Sequence, residues 1–267
     1  MQTFDRGSGV PLVLVPGIQG RWEYLRPTLD ALATSFRVIA FPLGGKRAGA
    51  RPFDATVELD ALADQLAAVL DERRLERSVI CGISFGGLVT LRFAARHPDR
   101  TSALVLASTP GPDFRLSSRH ETYIRAPWIF GPLFLAETPR RLHQELVAAI
   151  PEFRERRRFA WRQAKTVVTA PLSPSTMARR ARIIGSADPG RDCARISAPT
   201  LVITGEPGLD RVVRVESTLE YVRRIPGARW FQLHRTGHVG YLTRPQPFVA
   251  AIREFLSTVD TASHNAA

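Results

Sequence analysis

Residues 78–96 read SVICGISFGGLVTLRFAAR, and this stretch decides the fold. Ser78–Ile83 is a short apolar run bounded by a glycine-rich turn, which suits a strand covered on both faces. From Gly86 onward the apolar residues Leu88, Leu91 and Ala95, with Phe93 between them, take helical spacing until His97-Pro98 stops it. Gly82, Ser84 and Gly86 form a G-x-S-x-G motif at the junction, and strand–turn–helix is the context that motif requires. The serine sits at a sharp turn whose backbone most residues avoid. Glycines two before and two after remove side chains that would collide there, and Gly87 lets the helix approach the sheet. The hydroxyl is then held above the sheet edge, at a helix N-terminus that favours developing negative charge. The plain alternative is a glycine-rich turn with an incidental serine.

Similar short runs recur along the chain. Val10–Val15, Phe36–Phe41, Thr101–Ala107, Pro199–Thr204 and Ala228–Leu233 read as further buried strands. Between them lie helical stripes, such as Leu59, Leu62, Leu66, Val69 and Leu70, and at the C-terminal end Phe248, Ile252 and Phe255. Strands alternating with helices predict an α/β fold with a mostly parallel, doubly wound sheet and right-handed crossovers. Residues 111–195 break the alternation. They hold helical patches, breaks at Pro127, Pro132, Pro139, Pro151, Pro171 and Pro174, and 16 basic against 8 acidic residues. The expected division is a core from 1–110 and 196–267, interrupted by a helical insertion at 111–195.

The whole chain of 267 residues carries a net charge of +12, and 44% of it is hydrophobic. That composition excludes disordered, collagen-like and coiled-coil chains. Only Lys46 and Lys165 are lysines; the remaining basic residues are arginines. No aromatic-basic recognition pattern or helix-turn-helix accompanies the charge, so no nucleic-acid partner is expected. An arginine bias can also reflect coding composition alone. Two cysteines, Cys81 and Cys193, are too few for a disulfide framework, and Cys81 reads as a buried strand filler. No apolar stretch approaches the ~18 residues of a membrane span, and the first ten residues lack a signal-peptide core. A soluble, cytoplasmic protein without membrane contact is expected.

A serine hydroxyl needs a base to become a nucleophile. Six histidines are available. His97 precedes a proline at a helix end, His120 and His143 lie in the insertion, and His264 sits in the terminal SHNAA. His234 and His238 follow the last strand, and His238, flanked by Gly237 and Val239-Gly240, has the freer loop. A carboxylate must then fix the imidazole. Asp210, shortly after the Leu201–Thr204 strand, is the preferred candidate; Asp113 and Glu206 compete. The chain order Ser84, Asp210, His238 is one of the known orders for such a triad. Backbone amides for an oxyanion are expected at Phe85, next after the serine, and at Ile18 in the loop Pro16-Gly17-Ile18-Gln19-Gly20, with the Gln19 side chain a secondary donor. That loop lacks the G-x-G-x-x-G spacing of a dinucleotide site. No ligand-spaced cluster of His, Cys, Asp or Glu suggests a metal, and no cofactor is expected.

The segments LVLVPGIQG, CGISFGG, ARHPDRTSALVLAS, PTLVITGEPGLD and TGHVGYLTRPQPF together resemble the α/β-hydrolase fold superfamily along nearly the whole chain. The resemblance implies a serine hydrolase that passes through an acyl-enzyme, acting on a small-molecule acyl substrate such as a carboxylic ester, thioester or lactone. C–C bond hydrolysis of a diketone-like substrate and acyl transfer are alternatives on the same triad. A non-catalytic ligand-binding protein is the alternative of another class. Relatives with an aspartate nucleophile, the haloalkane dehalogenases and epoxide hydrolases, are set aside by Ser84. Two departures stand out. Pro16 replaces a histidine that many relatives carry, and the residues before Val10 are too few for the usual antiparallel hairpin, so about six or seven strands are expected. In this fold the insertion often caps the serine. Ala126–Ala136 (APWIFGPLFLA) would then line an acyl or aromatic pocket, with Trp128, Phe130 and Val239 as candidate walls. Arg125, or an arginine of 154–158, 162, 179, 180 or 182, would turn inward to grip a substrate carboxylate. The alternatives are packing of cap on core and a solvated arginine face. Oligomeric state is not legible.

Overall fold

The structure, a computed structural model, describes residues 3–44 and 53–265, the side chains at 134, 135, 260 and 262–265 excepted. The side chain of His264 and part of the 126–136 patch therefore lie outside the described residues. Seven strands form one sheet: β1 (Phe4–Arg6), β2 (Pro11–Val15), β3 (Arg37–Ala40), β4 (Ser78–Ile83), β5 (Thr101–Ala107), β6 (Thr200–Thr204) and β7 (Arg229–Gln232). Their spatial order is β1-β3-β2-β4-β5-β6-β7. Every pairing is parallel except β1 on β3.

The sheet is covered twice. Leu12, Leu14, Val38, Val79, Cys81, Val105 and Leu201 face one way, against α1 (Arg26–Leu32) and α11 (Pro245–Asn265), which contribute Leu29, Leu32, Phe248, Ile252 and Phe255. Val13, Ile39, Ile80, Leu104 and Val202 face the other way, against α2 (Ala55–Glu72) and α3 (Phe85–Arg96). Alternate residues of each strand thus enter opposite cores, which is why the apolar runs are continuous. β7 is the exception. It forms an edge, and its Trp230 is 47% exposed, so the expectation of two covered faces fails there.

Between β5 and β6 come α4 (Ser118–Arg125), α5 (Pro127–Ala149), α6 (Phe153–Thr169), α7 (Pro174–Ser186) and the one-turn α8 (Pro189–Cys193). Pro127 and Pro174 start helices, where a missing N–H costs nothing. Pro132 and Pro139, read above as breaks, lie inside α5 instead. Both are exposed, so water can replace the lost helical bonds. After β6 follow α9 (Val215–Arg224), β7 and the one-turn α10 (Gly240–Thr243).

The strand that sequence reading missed is β1. It is three residues long with a single apolar side chain, and no alternation can show in so short a run. Gly7 and Gly9 turn the chain back with φ of +87° and +91°. Asp5 is held by Arg37 at 3.1 Å and Arg73 at 3.5 Å, and the buried Phe4 ring stands 5.7 Å from that of Trp22. Phe4→Ala should lower stability by about 3 kcal/mol, read as a lower urea midpoint, with unchanged turnover in the folded protein. An unaltered midpoint would show that β1 contributes nothing.

Candidate active site

Ser84 stands between β4 and α3, as the residue just before the helix, with φ 52° and ψ −121°, a positive-φ conformation that costs a residue with a side chain. Two backbone bonds hold it: Ser84 N–H donates to the Ala107 carbonyl at 2.8 Å, and Gly87 N–H donates to the Ser84 carbonyl at 2.8 Å. The glycines are needed for space. A Cβ on Gly86 would lie 2.3 Å from the Val15 carbonyl, and one on Gly87 would lie 1.9 Å from Thr109 Oγ1.

His238 follows β7 and Asp210 follows β6, so both loops leave the same edge of the sheet as Ser84. His238 Nε2 is 3.1 Å from Ser84 Oγ, and its Nδ1 is 3.3 Å from Asp210 Oδ2. Asp210 Oδ1 accepts from the Val212 and Val213 amides, each at 2.9 Å. Those bonds fix the carboxylate before it meets the imidazole. The two loops fit tightly: a Cβ on Gly205 would lie 2.4 Å from the Gly237 carbonyl, and one on Gly237 would lie 2.4 Å from that of Leu209. His238 is buried, and burial alone would lower its pKa. The charge of Asp210, its hydrogen bond and the charge of Glu145 outweigh burial and leave it raised.

The competing residues are engaged elsewhere. Asp113 accepts from Ser217 Oγ at 2.5 Å. Glu206 accepts from the Arg235 amide at 2.8 Å and lies 3.7 Å from the exposed His234. His120 caps α4 through Ser117 at 2.8 Å, and the His97 ring lies 4.9 Å from that of Phe93.

The loop Pro16–Gly20 closes as a turn through Gly20 N–H to the Gly17 carbonyl, 2.8 Å. Its central residues are Ile18 and Gln19. A Cβ on Gly17 would be 3.4 Å from Ser84 Cβ and 3.3 Å from Gln19 Oε1, so the turn lies directly beside the serine. The Phe85 amide belongs to the first residue of α3 and has no partner within that helix. Two further carbonyls of the turn are occupied: Leu43 N–H donates to that of Gly20 at 2.9 Å, and Arg180 Nη1 to that of Ile18 at 2.8 Å. Arg180 Nη2 also donates to the Leu43 carbonyl. Arg180 is 5% exposed, and burial brings its pKa down to about 10. It is the inward arginine of the insertion; Arg154, Arg157, Arg158, Arg162 and Arg182 are exposed.

The remaining sequence candidates are not gathered here. Arg125 is exposed at the end of α4, Trp128 is 69% exposed, and Phe130 stands at the exposed start of α5. The apolar contacts of this region are made by Tyr123, Met177 and Ala178 instead, with Ile18 packed against them. Val239 is half-buried beside His238 and donates its amide to Glu145 Oε1 at 2.8 Å. Glu145 is the residue sequence reading passed over. It stands among ordinary helical polar residues, and no local pattern announces its burial. Among the described residues no three His, Cys, Asp or Glu side chains group as metal ligands, and no helix is long and apolar enough to cross a membrane.

A proton acceptor at this position must be neutral. With the imidazole pKa raised, activity should climb with pH through a midpoint above the usual value of about 6.5. Asp210→Asn should move that midpoint down and cut kcat about 10⁴-fold. A pH–rate profile of both proteins checks this; coincident profiles would separate Asp210 from His238.

A family model described as alpha/beta hydrolase fold matches residues 10–245. The chain is 29% identical to 2-hydroxymuconate semialdehyde hydrolase of Pseudomonas sp. strain CF600, over 97% of this chain and 91% of that one. It is 27% identical to pimeloyl-[acyl-carrier protein] methyl ester esterase of Nitrosomonas europaea, over 91% and 94%. The crystal structure of the enol-lactonase from Burkholderia xenovorans LB400 superposes with a TM-score of 0.76 at 23% identity, covering 96% of each chain.

Proposed function

The chain belongs to the alpha/beta hydrolase fold family, and on that premise we propose that it is a serine hydrolase of small acyl substrates. The observation that carries this is the unbroken hydrogen-bonded series Ser84 Oγ, His238, Asp210. Ser84 Oγ attacks the carbonyl carbon while His238 Nε2 takes its proton. The negative oxygen forms between the Phe85 and Ile18 amides. Asp210 steadies the imidazolium through Nδ1–H. The carbonyl re-forms, the leaving group departs with the proton from Nε2, and Ser84 carries the acyl group. Water, deprotonated by His238, attacks the acyl-enzyme, and collapse returns the proton to Ser84.

A carboxylic ester, thioester or lactone is the substrate class. The relatives include a protein named as a methyl ester esterase, in keeping with that class. We take residues 111–195 as the cap over the site and place the protein in the cytoplasm, where two buried, unpaired cysteines are at home. Hydrolysis of p-nitrophenyl esters of increasing acyl length should be measurable, and Ser84→Ala should lose it about 10⁶-fold. A fluorophosphonate probe should label Ser84 in the native protein. An unlabelled serine would instead favour a ligand-binding protein on this fold.

A second reading is supported by Arg180 together with the relatives named as hydrolases of 2-hydroxymuconate semialdehyde and 2-hydroxy-6-oxo-2,4-heptadienoate. A guanidinium beside the Ile18 turn favours substrates that bear a carboxylate, including diketone-like acids cleaved at a C–C bond. Arg180→Gln should raise KM for an acidic ester at least tenfold more than for a neutral ester of equal size. The neutral ester reports the loss of support for the turn, and the difference reports the charge. Equal changes in the two would remove carboxylate recognition.

A further inference from the structure

Glu145 lies on α5, yet it is only 1% exposed and its carboxylate is turned toward the loop that carries His238. Oε1 accepts from the Val239 amide at 2.8 Å, and the Gly237 amide adds a favourable field on the other side of the histidine. Oε2 is buried and has no hydrogen-bond partner. A buried carboxylate with one empty oxygen is costly for packing alone, and an apolar side chain would fill the space more cheaply.

The same stretch of α5 touches both loops of the triad. Arg211, next to Asp210, donates to Gln144 Oε1 at 3.0 Å, and Arg235 Nε donates to the Ala148 carbonyl at 2.9 Å. Residues 144, 145 and 148 therefore bind the acid loop and the base loop to one helix turn. The charged groups around Glu145 are His238, which favours its ionised form, and Asp210, which opposes it; Tyr241 comes from α10. Arg211 and Arg235 approach from the loops, and Arg141 and His143 lie on α5 itself.

We propose that Glu145 is a positioning residue for the hydrolysis described above: its carboxylate holds the Val239 amide beside His238 and supplies a second negative charge to the imidazolium. It acts through His238 and touches no substrate. The proposal rests on the reading of His238 as the base. Burial raises the Glu145 pKa to about 7, so the carboxylate forms its charge in the range where the base itself titrates. As pH rises, Glu145 ionises and becomes the stronger acceptor for Val239 N–H. The charged Glu145 holds the imidazolium more firmly, yet the active form needs both the ionised carboxylate and the neutral base, so the acid limb of kcat/KM should be steeper than a single ionisation allows.

Glu145→Gln keeps the shape and removes the charge. It should make the acid limb that of one ionisation, lower its midpoint, and cut kcat about tenfold with KM little changed, a part of what a well-placed base supplies. Glu145→Asp keeps the charge and shortens the reach; it should retain the steep limb with reduced kcat. NMR titration of the His238 ring, which needs no substrate, should give a lower midpoint in the Gln variant than in the wild type. An unchanged ring midpoint together with an unchanged limb overturns the role of Glu145. Wild-type protein inert toward both esters and fluorophosphonate overturns the hydrolase reading instead, while the ring titration still decides whether Glu145 governs His238.

Discussion

The backbone of Ser84 is held where serine does not rest by preference, at a cost on the order of 1–3 kcal/mol. Much of the surrounding architecture answers to that one residue. A central strand and a helix bracket it, since its amide is tied to the end of β5 and its carbonyl to the first turn of α3. At Gly86 the approach is to the backbone of Val15 and Pro16, and at Gly87 to the Thr109 side chain, so α3 is seated directly against the Pro16 turn and the end of the sheet. A hydroxyl fixed in this way needs no reorganisation to meet the imidazole above it.

Much of this was legible in residues 78–96, because a buried strand, a tight turn and a helix each leave a periodic or glycine signature. Asp210 and His238 stood among the sequence candidates because both lie just past strand ends, where this topology collects loops, and the family resemblance favoured His238 over His234. Other features left no such signature. β1 is too short to alternate. The prolines of α5 interrupt hydrogen bonding, yet solvent on that side tolerates the loss. Trp128 and Phe130 are apolar and look like pocket walls, but sequence does not say which way a helix faces when its partners lie far away in the chain. Glu145 and Arg180 depend on such distant partners, and only packing brings them to the site.

The arginine excess has a structural use beyond charge. Arg180 holds the carbonyls of Ile18 and Leu43, Arg100 those of Leu75 and Glu76, and Arg156 those of Ile150 and Pro151. Arg92 joins Asp60 of α2 to the buried Asp192 of α8, at 2.7 and 2.8 Å. A planar guanidinium can satisfy two acceptors at once, which lysine does less well. Many loop carbonyls that would otherwise need water are closed in this manner, so the net charge does not by itself point to a polyanionic partner.

The insertion leaves the sheet after β5 and rejoins it at β6, two strands that lie side by side. Closing a loop of about ninety residues between neighbours costs little more entropy than closing half that length, roughly 0.6 kcal/mol for each doubling. Lineages can therefore lengthen, trim or rewrite this segment while the strands beneath keep their register. Changes in this segment are nearly decoupled from foldability, except at the few contacts, such as Glu145 and Arg180, through which it holds the Val239 amide and the Ile18 carbonyl.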